Sequence, residues 1–451
     1  MMDGNVWKLI PLAVLLGTGC GITKDLGELD TDGDSDDAGD DDDDDDDDDA
    51  TGGTDGMEGG MEGDDSGDDG GPPPENPPST AVDILFVVDN SGSMGEEQGL
   101  LAAPLYELTE PLMQAGVSFR IAVTTTDNGN PWCTGTTPEA GSLVMSSCRE
   151  RLDDFVFDGA TQIDATDIGC TDVCALDRLS LSPTTTELDP TPSVRPWIEH
   201  LDPGNTNVPG FAPSQVLSCA LPMGINGCGF EQPLETMQKA LTRATIATDA
   251  SYGFVRDAAN LLVVFVTDEA DCSHNEDQEI IFLPEGSRTF WSLPDEGAPT
   301  SAVCWNAGIQ CSGDPLQYDE CHSVSLDPQG NPTTDELAVM QPVNRYIEFL
   351  EDLHLSKSAG QVRVMGFVGR SSDAGPYVYG EGDDPGFNID FGIGPGCIGG
   401  EPGTRAVPPV RLREVANAIN PTPDGGMYSV CAGNYGPALT SMADEIISWA
   451  Q

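Results

Sequence analysis

The sequence has very little positive charge. Its 451 residues include 18 Lys and Arg against 78 Asp and Glu, which gives a formal net charge of -60 at pH 7. Nucleic acids and anionic lipid surfaces attract proteins through basic patches, so this balance makes both of them poor partners. We therefore expect a binding partner that is neutral, basic or linked through a metal ion.

Motifs typical of several enzyme classes are also lacking. The chain contains no G-x-S-x-G, H-E-x-x-H or P-loop sequence, which argues against the hydrolytic and nucleotide-binding chemistry that those motifs support. It has only four histidines, and they lie far apart in the sequence. These absences favour a protein that is not an enzyme.

Near the start of the chain, residues 6–19 form an apolar run that is too short to cross a bilayer comfortably. The run ends in the small residues 17–19, directly before Cys20. This arrangement resembles the lipobox of bacterial lipoproteins, which implies a signal peptide over residues 1–19 and lipidation of Cys20. The protein would then be exported and held by a lipid anchor at the outer membrane or cell surface. Ordinary signal-peptide cleavage and an uncleaved anchor are the alternatives.

Residues 20–80 are rich in Asp, Gly and Pro and poor in large apolar residues. From residue 21 to residue 80 there are 25 acidic side chains and one Lys, with an unbroken run of Asp from 40 to 49. Such a composition cannot bury a core, and its like charges repel one another. We predict a disordered acidic tether.

The other twelve of the 13 cysteines lie in the remainder of the chain. They are Cys133, Cys148, Cys170, Cys174, Cys219, Cys228, Cys272, Cys304, Cys311, Cys321, Cys397 and Cys431. An even number spread through loop-like sequence predicts a disulfide framework, and hence an oxidising compartment. Zinc binding is the alternative, although no paired C-x-x-C spacing is present.

From residue 81 onward, buried-strand patterns alternate with helix patterns. The apolar stretches at 82–89, 119–127, 261–268, 362–369 and 427–431 predict strands, and the periodic stretches at 94–115, 234–246, 336–355, 411–419 and 438–450 predict helices. This alternation indicates an α/β fold with a doubly wound, mostly parallel sheet over residues 81–451. Stretches rich in Pro, Gly and Cys predict long disulfide-rich insertions at about 128–228, 272–334 and 371–409.

The sequence Asp89-Asn90-Ser91-Gly92-Ser93 directly follows the first predicted strand. It resembles the D-x-S-x-S signature of the von Willebrand factor A (VWA) family, whose metal-ion-dependent adhesion site begins with this motif. In an open α/β sheet, ligands bind beyond the carboxyl ends of the strands. The resemblance implies that Asp89, Ser91 and Ser93 hold a divalent cation with Asp268, which follows another predicted strand.

The resemblance also implies the ion and the partner. Hard oxygen donors suit Mg²⁺, with Ca²⁺ or Mn²⁺ as alternatives, and a protein partner would complete the coordination with an acidic or other oxygen group. The family supplies a further threonine from a loop that here corresponds to residues 226–234, where no threonine occurs. Cys228 lies nearest that position, and Glu231 is an additional candidate ligand.

Three other interpretations of the motif are open. Residues 89–93 could form only a strand-to-helix turn in which Ser93 caps the next helix. The domain could be a metal-free structural protein of the envelope or surface. A hydrolase of the haloacid dehalogenase type, with Asp89 as nucleophile, is disfavoured because Ser91 stands where that chemistry needs an acid.

Overall fold

The computed structural model describes residues 76–158, 162–202, 205–399 and 404–449. The predicted signal peptide, Cys20 and nearly all of the predicted tether lie outside these residues. Within the described ranges, no helix combines the length and apolar character needed to cross a membrane.

The described residues form strands and helices in alternation. In chain order the strands are β1 (Ala81–Val88), β2 (Ser118–Thr125), β3 (Val156–Asp158), β4 (Gln162–Asp164), β5 (Ile198–Asp202), β6 (Asn205–Thr206), β7 (Asn260–Val266), β8 (Ile309–Asp314), β9 (Gln317–Ser323), β10 (Val362–Val368), β11 (Cys397–Ile398), β12 (Arg405–Ala406) and β13 (Met427–Ser429). The α-helices are α1 (Gly95–Ala102), α2 (Tyr106–Gln114), α3 (Pro213–Ala220), α4 (Pro233–Arg243), α5 (Ala302–Gly308), α6 (Val343–Ser356), α7 (Pro385–Phe391), α8 (Val410–Ile419) and α9 (Gly436–Trp449).

A seven-stranded sheet in the order β13-β10-β7-β1-β2-β5-β6 forms the centre of the domain. The five strands from β13 to β2 are parallel to their neighbours, whereas β5 and β6 pair in antiparallel fashion at one edge. In chain order, β2 and then β5 are added on one side of β1, and β7, β10 and β13 are added on the other side. The predicted α/β fold with a doubly wound, mostly parallel sheet is therefore confirmed.

The apolar run of β1 is continuous because the sheet is covered on both faces. Ile84 and Phe86 belong to one hydrophobic cluster, which includes residues of α2 and α9. Leu85 and Val87 point to the opposite cluster, which includes residues of α4, α6 and α8. Successive side chains of a strand alternate between faces, so an apolar residue is needed at almost every position.

Two predicted helices differ from the observed ones, and proline accounts for both differences. The helix predicted over residues 94–115 is divided into α1 and α2 around Pro104, which has no backbone N–H and disfavours a continuous helix. The helix predicted over residues 336–355 begins only at Val343, directly after Pro342. Only a short 3₁₀ turn, Asp335–Leu337, forms in the skipped segment.

The segment predicted as an insertion at 128–228 also contributes to the central sheet. It contains β5, which pairs with β2, as well as β6 and the helix α3. These elements are short and lie among residues rich in Pro, Thr and Gly, so they show no sustained period in the sequence. β5 forms by pairing with the edge of β2, and no local sequence pattern predicts that pairing.

All twelve cysteines in the described ranges are paired. The disulfides are Cys133–Cys228, Cys148–Cys170, Cys174–Cys219, Cys272–Cys304, Cys311–Cys321 and Cys397–Cys431. The predicted disulfide framework is confirmed, and the alternative of zinc binding by these cysteines is wrong. Each bridge has at least one end within or beside a predicted insertion.

One charged residue lies inside β1. Asp83 is fully buried, and its carboxylate accepts hydrogen bonds from the backbone N–H and the Nε of Arg256, at 2.7 and 2.8 Å. The guanidinium also donates to the carbonyl of Val82 at 2.9 Å. This pair joins β1 to the segment that leads into β7, and it explains why an acid is tolerated in a buried strand.

We expect Asp83→Ala to lower the free energy of unfolding by about 3–5 kcal/mol, because it leaves the Arg256 guanidinium buried without its partner. Urea denaturation followed by tryptophan fluorescence measures the loss. Glu348→Ala, at an exposed acid of α6, is the control and should change stability by about 0.5 kcal/mol or less. Similar small losses in both variants would contradict the structural role of the pair.

Candidate metal centre

The candidate site lies where the direction of strand addition reverses. β1 and β7 are adjacent and parallel, so the residues that follow them emerge side by side at the carboxyl edge of the sheet. The backbone N–H of Asp89 donates to the carbonyl of Val266 at 2.8 Å. This reversal point is the general location of ligand sites in open α/β sheets.

The four predicted ligands are brought together by a chain of hydrogen bonds. Ser91 Oγ lies 3.1 Å from Ser93 Oγ, and Ser93 Oγ donates to Asp268 Oδ1 at 3.2 Å. The backbone N–H of Ser91 donates to Asp89 Oδ1 at 2.8 Å. Thr267 Oγ1 donates to Asp89 Oδ2 at 2.6 Å. Two strand ends therefore contribute hydroxyl and carboxylate oxygens to a single cluster.

Ser93 is exposed, whereas Ser91, Asp89 and Asp268 are buried. The cluster is therefore open to solvent on the side of Ser93. The side chain of Ser93 does not cap the following helix, because the N-cap of α1 is Met94 and makes no side-chain capping bond. The interpretation of Ser93 as a helix cap is wrong.

Gln98 of α1 fixes the backbone of the site. Its Nε2 donates to the carbonyls of Asp89 and Gly224, at 2.8 Å each, and its Oε1 accepts from the N–H of Met223 at 2.7 Å. The residue is fully buried. One amide thus joins the end of β1 to the segment that precedes the loop carrying Glu231.

Glu231 reaches the site from that loop. It is fully buried, the negative charge of Asp89 helps to raise its pKa, and one of its oxygens accepts a hydrogen bond from Thr126 Oγ1. Its second oxygen, Oε1, is buried without a hydrogen-bond partner among the described residues. Cys228 is bonded to Cys133 and has no free thiol for a metal.

Four buried carboxyl groups lie close enough at this edge to influence one another. Burial raises the pKa of Asp89, although the hydrogen bond from Thr267 opposes the shift. Burial and the negative charge of Asp89 raise the pKa values of Asp268, Glu231 and Glu269 well above their usual range. In the described ranges, no Lys or Arg forms a salt bridge with any of the four.

Sequence reasoning missed two residues beside the site. Thr126 follows β2 and holds Glu231, although nothing in the local sequence connects residues that are 105 positions apart. Glu97 of α1 is almost fully buried, with Oε1 accepting from Thr404 Oγ1 at 2.8 Å and Oε2 lacking a partner among the described residues. In the sequence, its position four residues after Ser93, on the following helix, is the feature that could have placed Glu97 near the site.

The donors fit a hard divalent cation in chemistry and charge. Hydroxyl and carboxylate oxygens are the ligands that Mg²⁺ and Ca²⁺ prefer, and the four buried acids form no salt bridge with a basic side chain among the described residues. In the part of the chain that the structure describes, no three His, Cys, Asp or Glu side chains converge as a ready-made metal centre. Two of the four predicted ligands are serines, which belong to none of those residue types.

No protein-family model and no curated protein matches the sequence. Among solved structures, the chain is similar to the pilus adhesin SpaC from Lactobacillus rhamnosus GG in its open conformation, with 12% identity and a TM-score of 0.31. The match covers 84% of this chain and 31% of SpaC, so the chain spans about a third of that protein.

Two further solved structures are similar to a comparable degree. The von Willebrand factor domain of the type V pili tip protein Mfa5 from Porphyromonas gingivalis matches with 11% identity and a TM-score of 0.31, covering 83% of this chain and 97% of that one. The adhesive tip pilin GBS104 from Group B Streptococcus agalactiae matches with 11% identity and a TM-score of 0.27, over 81% and 100% of the two chains. These similarities are distant, and the fold is established by the strand order itself.

Glu97 gives the metal-free domain a defined pH dependence. Burial, with a smaller contribution from the charges of Glu96 and Asp89, raises its pKa from 4.5 to about 6. The folded chain therefore holds this proton more tightly than the unfolded chain does. The stability that the protonated Glu97 contributes to the folded state is fully present below pH 4.5 and is lost as the pH rises through 6.

In the presence of a chelator, we expect Glu97→Gln to become more stable relative to wild type, by about 2 kcal/mol, as the pH rises from about 4.5 to 7. The reason is that the amide never acquires the buried charge. Urea unfolding at several pH values measures the change. Glu96→Gln, at the partly exposed neighbour, is the control, and a stability difference for Glu97→Gln that does not vary with pH would contradict the assignment.

Proposed function

We propose that this chain is a binding protein rather than an enzyme. In this proposal a VWA-like domain holds a divalent cation at Asp89, Ser91, Ser93 and Asp268, with Glu231 beside them, and mediates adhesion to a protein partner. The domain is exported and held at the outer membrane or cell surface through a lipid on Cys20. The observation that carries the proposal is the hydrogen-bonded series from Ser91 through Ser93 to Asp268, which joins two strand ends.

Of the four proposed ligands, Ser93 is exposed and the other three are buried. Ser93 donates to Asp268, so an incoming group would meet Ser93 first. Asp89 is fully buried and is oriented by Thr267 and the backbone of Ser91. A bound divalent cation would supply positive charge and a coordination position for an oxygen atom of the partner.

The candidate site and the first described residue, Asn76, lie towards opposite ends of β1. The described chain begins at the amino end of β1, where Asn76 Nδ2 donates to the carbonyl of His354 at 2.9 Å and the N–H of Gly360 donates to the carbonyl of Pro77 at 2.8 Å. β1 has 8 residues, which corresponds to about 26 Å at about 3.3 Å per residue. The candidate site lies at the far end of this strand from Asn76.

We expect Mg²⁺ or Mn²⁺ to raise the unfolding temperature of the purified, oxidised and chelator-treated chain. At a free concentration of about 100 times Kd the gain is about 2.7 kcal/mol. Ser93→Ala and Asp268→Asn should lose most of this gain, because the first removes an oxygen donor and the second replaces a carboxylate oxygen with an NH₂ group and removes the negative charge. Differential scanning calorimetry measures the stabilisation. Diffuse cation binding to the acidic residues 20–75 is the same in every variant, so it does not affect the comparison between variants.

The matched control is Ser356→Ala, an exposed serine at the carboxyl end of α6, which should respond as wild type does. Equal stabilisation of wild type, Ser93→Ala and Asp268→Asn would reject the site. The metal-free structural alternative would then be favoured.

The lipid anchor predicts that Cys20 is the residue that becomes acylated. We expect radioactive palmitate to label the chain when it is expressed with bacterial lipoprotein processing, and Cys20→Ala to abolish the label because the twelve paired cysteines offer no free thiol. The same variant should move from the membrane fraction to the soluble fraction. Equal labelling of Cys20→Ala and wild type would contradict the anchor.

A further inference from the structure

The motif segment of the candidate site, residues 90–93, is held from one side by a neighbouring loop. The backbone N–H of Gly227 donates to the carbonyl of Asn90 at 2.9 Å. Within the described residues, this is the single backbone–backbone hydrogen bond that joins the motif segment to a segment distant in the chain. The positions of Ser91 and Ser93 therefore depend on where Gly227 lies.

The space between Asn90 and Gly227 is fully occupied. The side chain of Asn90 is buried, and a Cβ atom on residue 227 would come within 2.6 Å of its Nδ2 and still closer to its Oδ1 and Cγ. Asn90 Oδ1 is buried without a hydrogen-bond partner among the described residues. The amide is therefore positioned by packing against the glycine and not by a hydrogen bond to this oxygen.

The loop that leads to Gly227 is fixed by contacts with other segments. Gln98 Oε1 accepts from the N–H of Gly224 at 3.1 Å. The N–H of Ile225 donates to the carbonyl of Asp154 at 2.7 Å. This side of the loop consequently has little freedom to move away from the motif segment.

The residue that follows Gly227 is held by both a hydrogen bond and a covalent bond. The N–H of Cys228 donates to Asp127 Oδ2 at 3.2 Å, and its side chain forms the disulfide with Cys133. The motif segment, by contrast, ends at the exposed Ser93. If an added atom pushed the two segments apart, the motif segment is the one that would move.

We propose that the contact between Gly227 and Asn90 is the positioning contact of the candidate site, through which the disulfide-bonded loop holds the motif segment in the conformation that binds the cation. This inference rests on the proposed function. Ser93 also donates to Asp268, from the other strand end, at 3.2 Å. A displaced motif segment would separate these donors, and Mg²⁺ tolerates such a change poorly because it requires near-ideal octahedral geometry.

The test compares two glycines of the same loop. Gly227→Ala introduces the Cβ atom that meets Asn90, whereas Gly229→Ala is the matched control because a Cβ atom there would meet nothing within 4 Å. Neither glycine has a positive φ angle, so alanine suits the backbone at both positions. Asn90→Ala removes the amide, and the double variant Asn90→Ala/Gly227→Ala combines the new Cβ atom with the space that it needs.

Each full, oxidised chain is treated with chelator, and an apparent Kd for Mg²⁺ is obtained from the rise in unfolding temperature with ion concentration at constant ionic strength. We expect Gly227→Ala to lose at least about tenfold in Mg²⁺ affinity, as is typical when a residue that orients metal ligands is changed. Gly229→Ala and Asn90→Ala should bind within about threefold of wild type, and the double variant should recover to that level. Near-UV circular dichroism verifies that each variant is folded without an ion.

A merely structural role predicts a different result, in which Gly227→Ala lowers the unfolding temperature of the metal-free chain but leaves the rise produced by Mg²⁺ unchanged. That result, or a double variant that binds as weakly as Gly227→Ala, would overturn this inference while leaving the proposed function in place. If neither Mg²⁺ nor Mn²⁺ stabilises wild type and Gly229→Ala, the proposed function itself is rejected. The two failures are therefore distinguishable in one set of measurements.

Discussion

The parallel pairing of β1 with β7 is the constraint on which the rest of the site depends. An acid follows each strand within two residues, and the pairing sets these acids at the same edge, at the point where the order of strands reverses. Asp89 and Asp268 are thereby held in a common cluster together with the serines that follow β1. The pairing itself is stabilised by apolar burial on both faces of the sheet, so the energy that positions the acids comes from residues that do not contact them.

The site consequently concentrates negative charge in a poorly hydrated place. Asp89, Glu231, Asp268 and Glu269 are all buried and repel one another. Buried acids elsewhere in the domain have basic partners: Asp83 pairs with Arg256, and Asp271 with Arg411. Glu97 and Asp127, which lie close to the site, are also buried and form no salt bridge among the described residues, so the buried acids without a basic partner are concentrated at this edge of the sheet.

At this edge, disulfides restrict the conformation of the loops, as burial in a hydrophobic core does elsewhere in the domain. The loops around the site are irregular, and two of the six bridges end within four residues of a candidate ligand: Cys228 precedes Glu231, and Cys272 follows Asp268. Cross-links of this kind restrict the alternatives available to a loop. A preorganised cluster of like charges can persist in the fold because the backbone that carries it is held by these bridges and by buried hydrogen bonds such as those of Gln98.

The sequence alone determined the α/β class, the parallel strands, the positions of Asp89, Ser91, Ser93 and Asp268 at strand ends, and the disulfide character of the cysteines. These follow from local patterns, because hydrophobic period and residue type are read within one element. Only the tertiary structure decided the pairing of the cysteines, the addition of β5 to the sheet, the contact of Thr126 with Glu231 and the burial of Glu97. Each of these joins segments that are far apart in the chain, and their proximity depends on the order in which the strands pack.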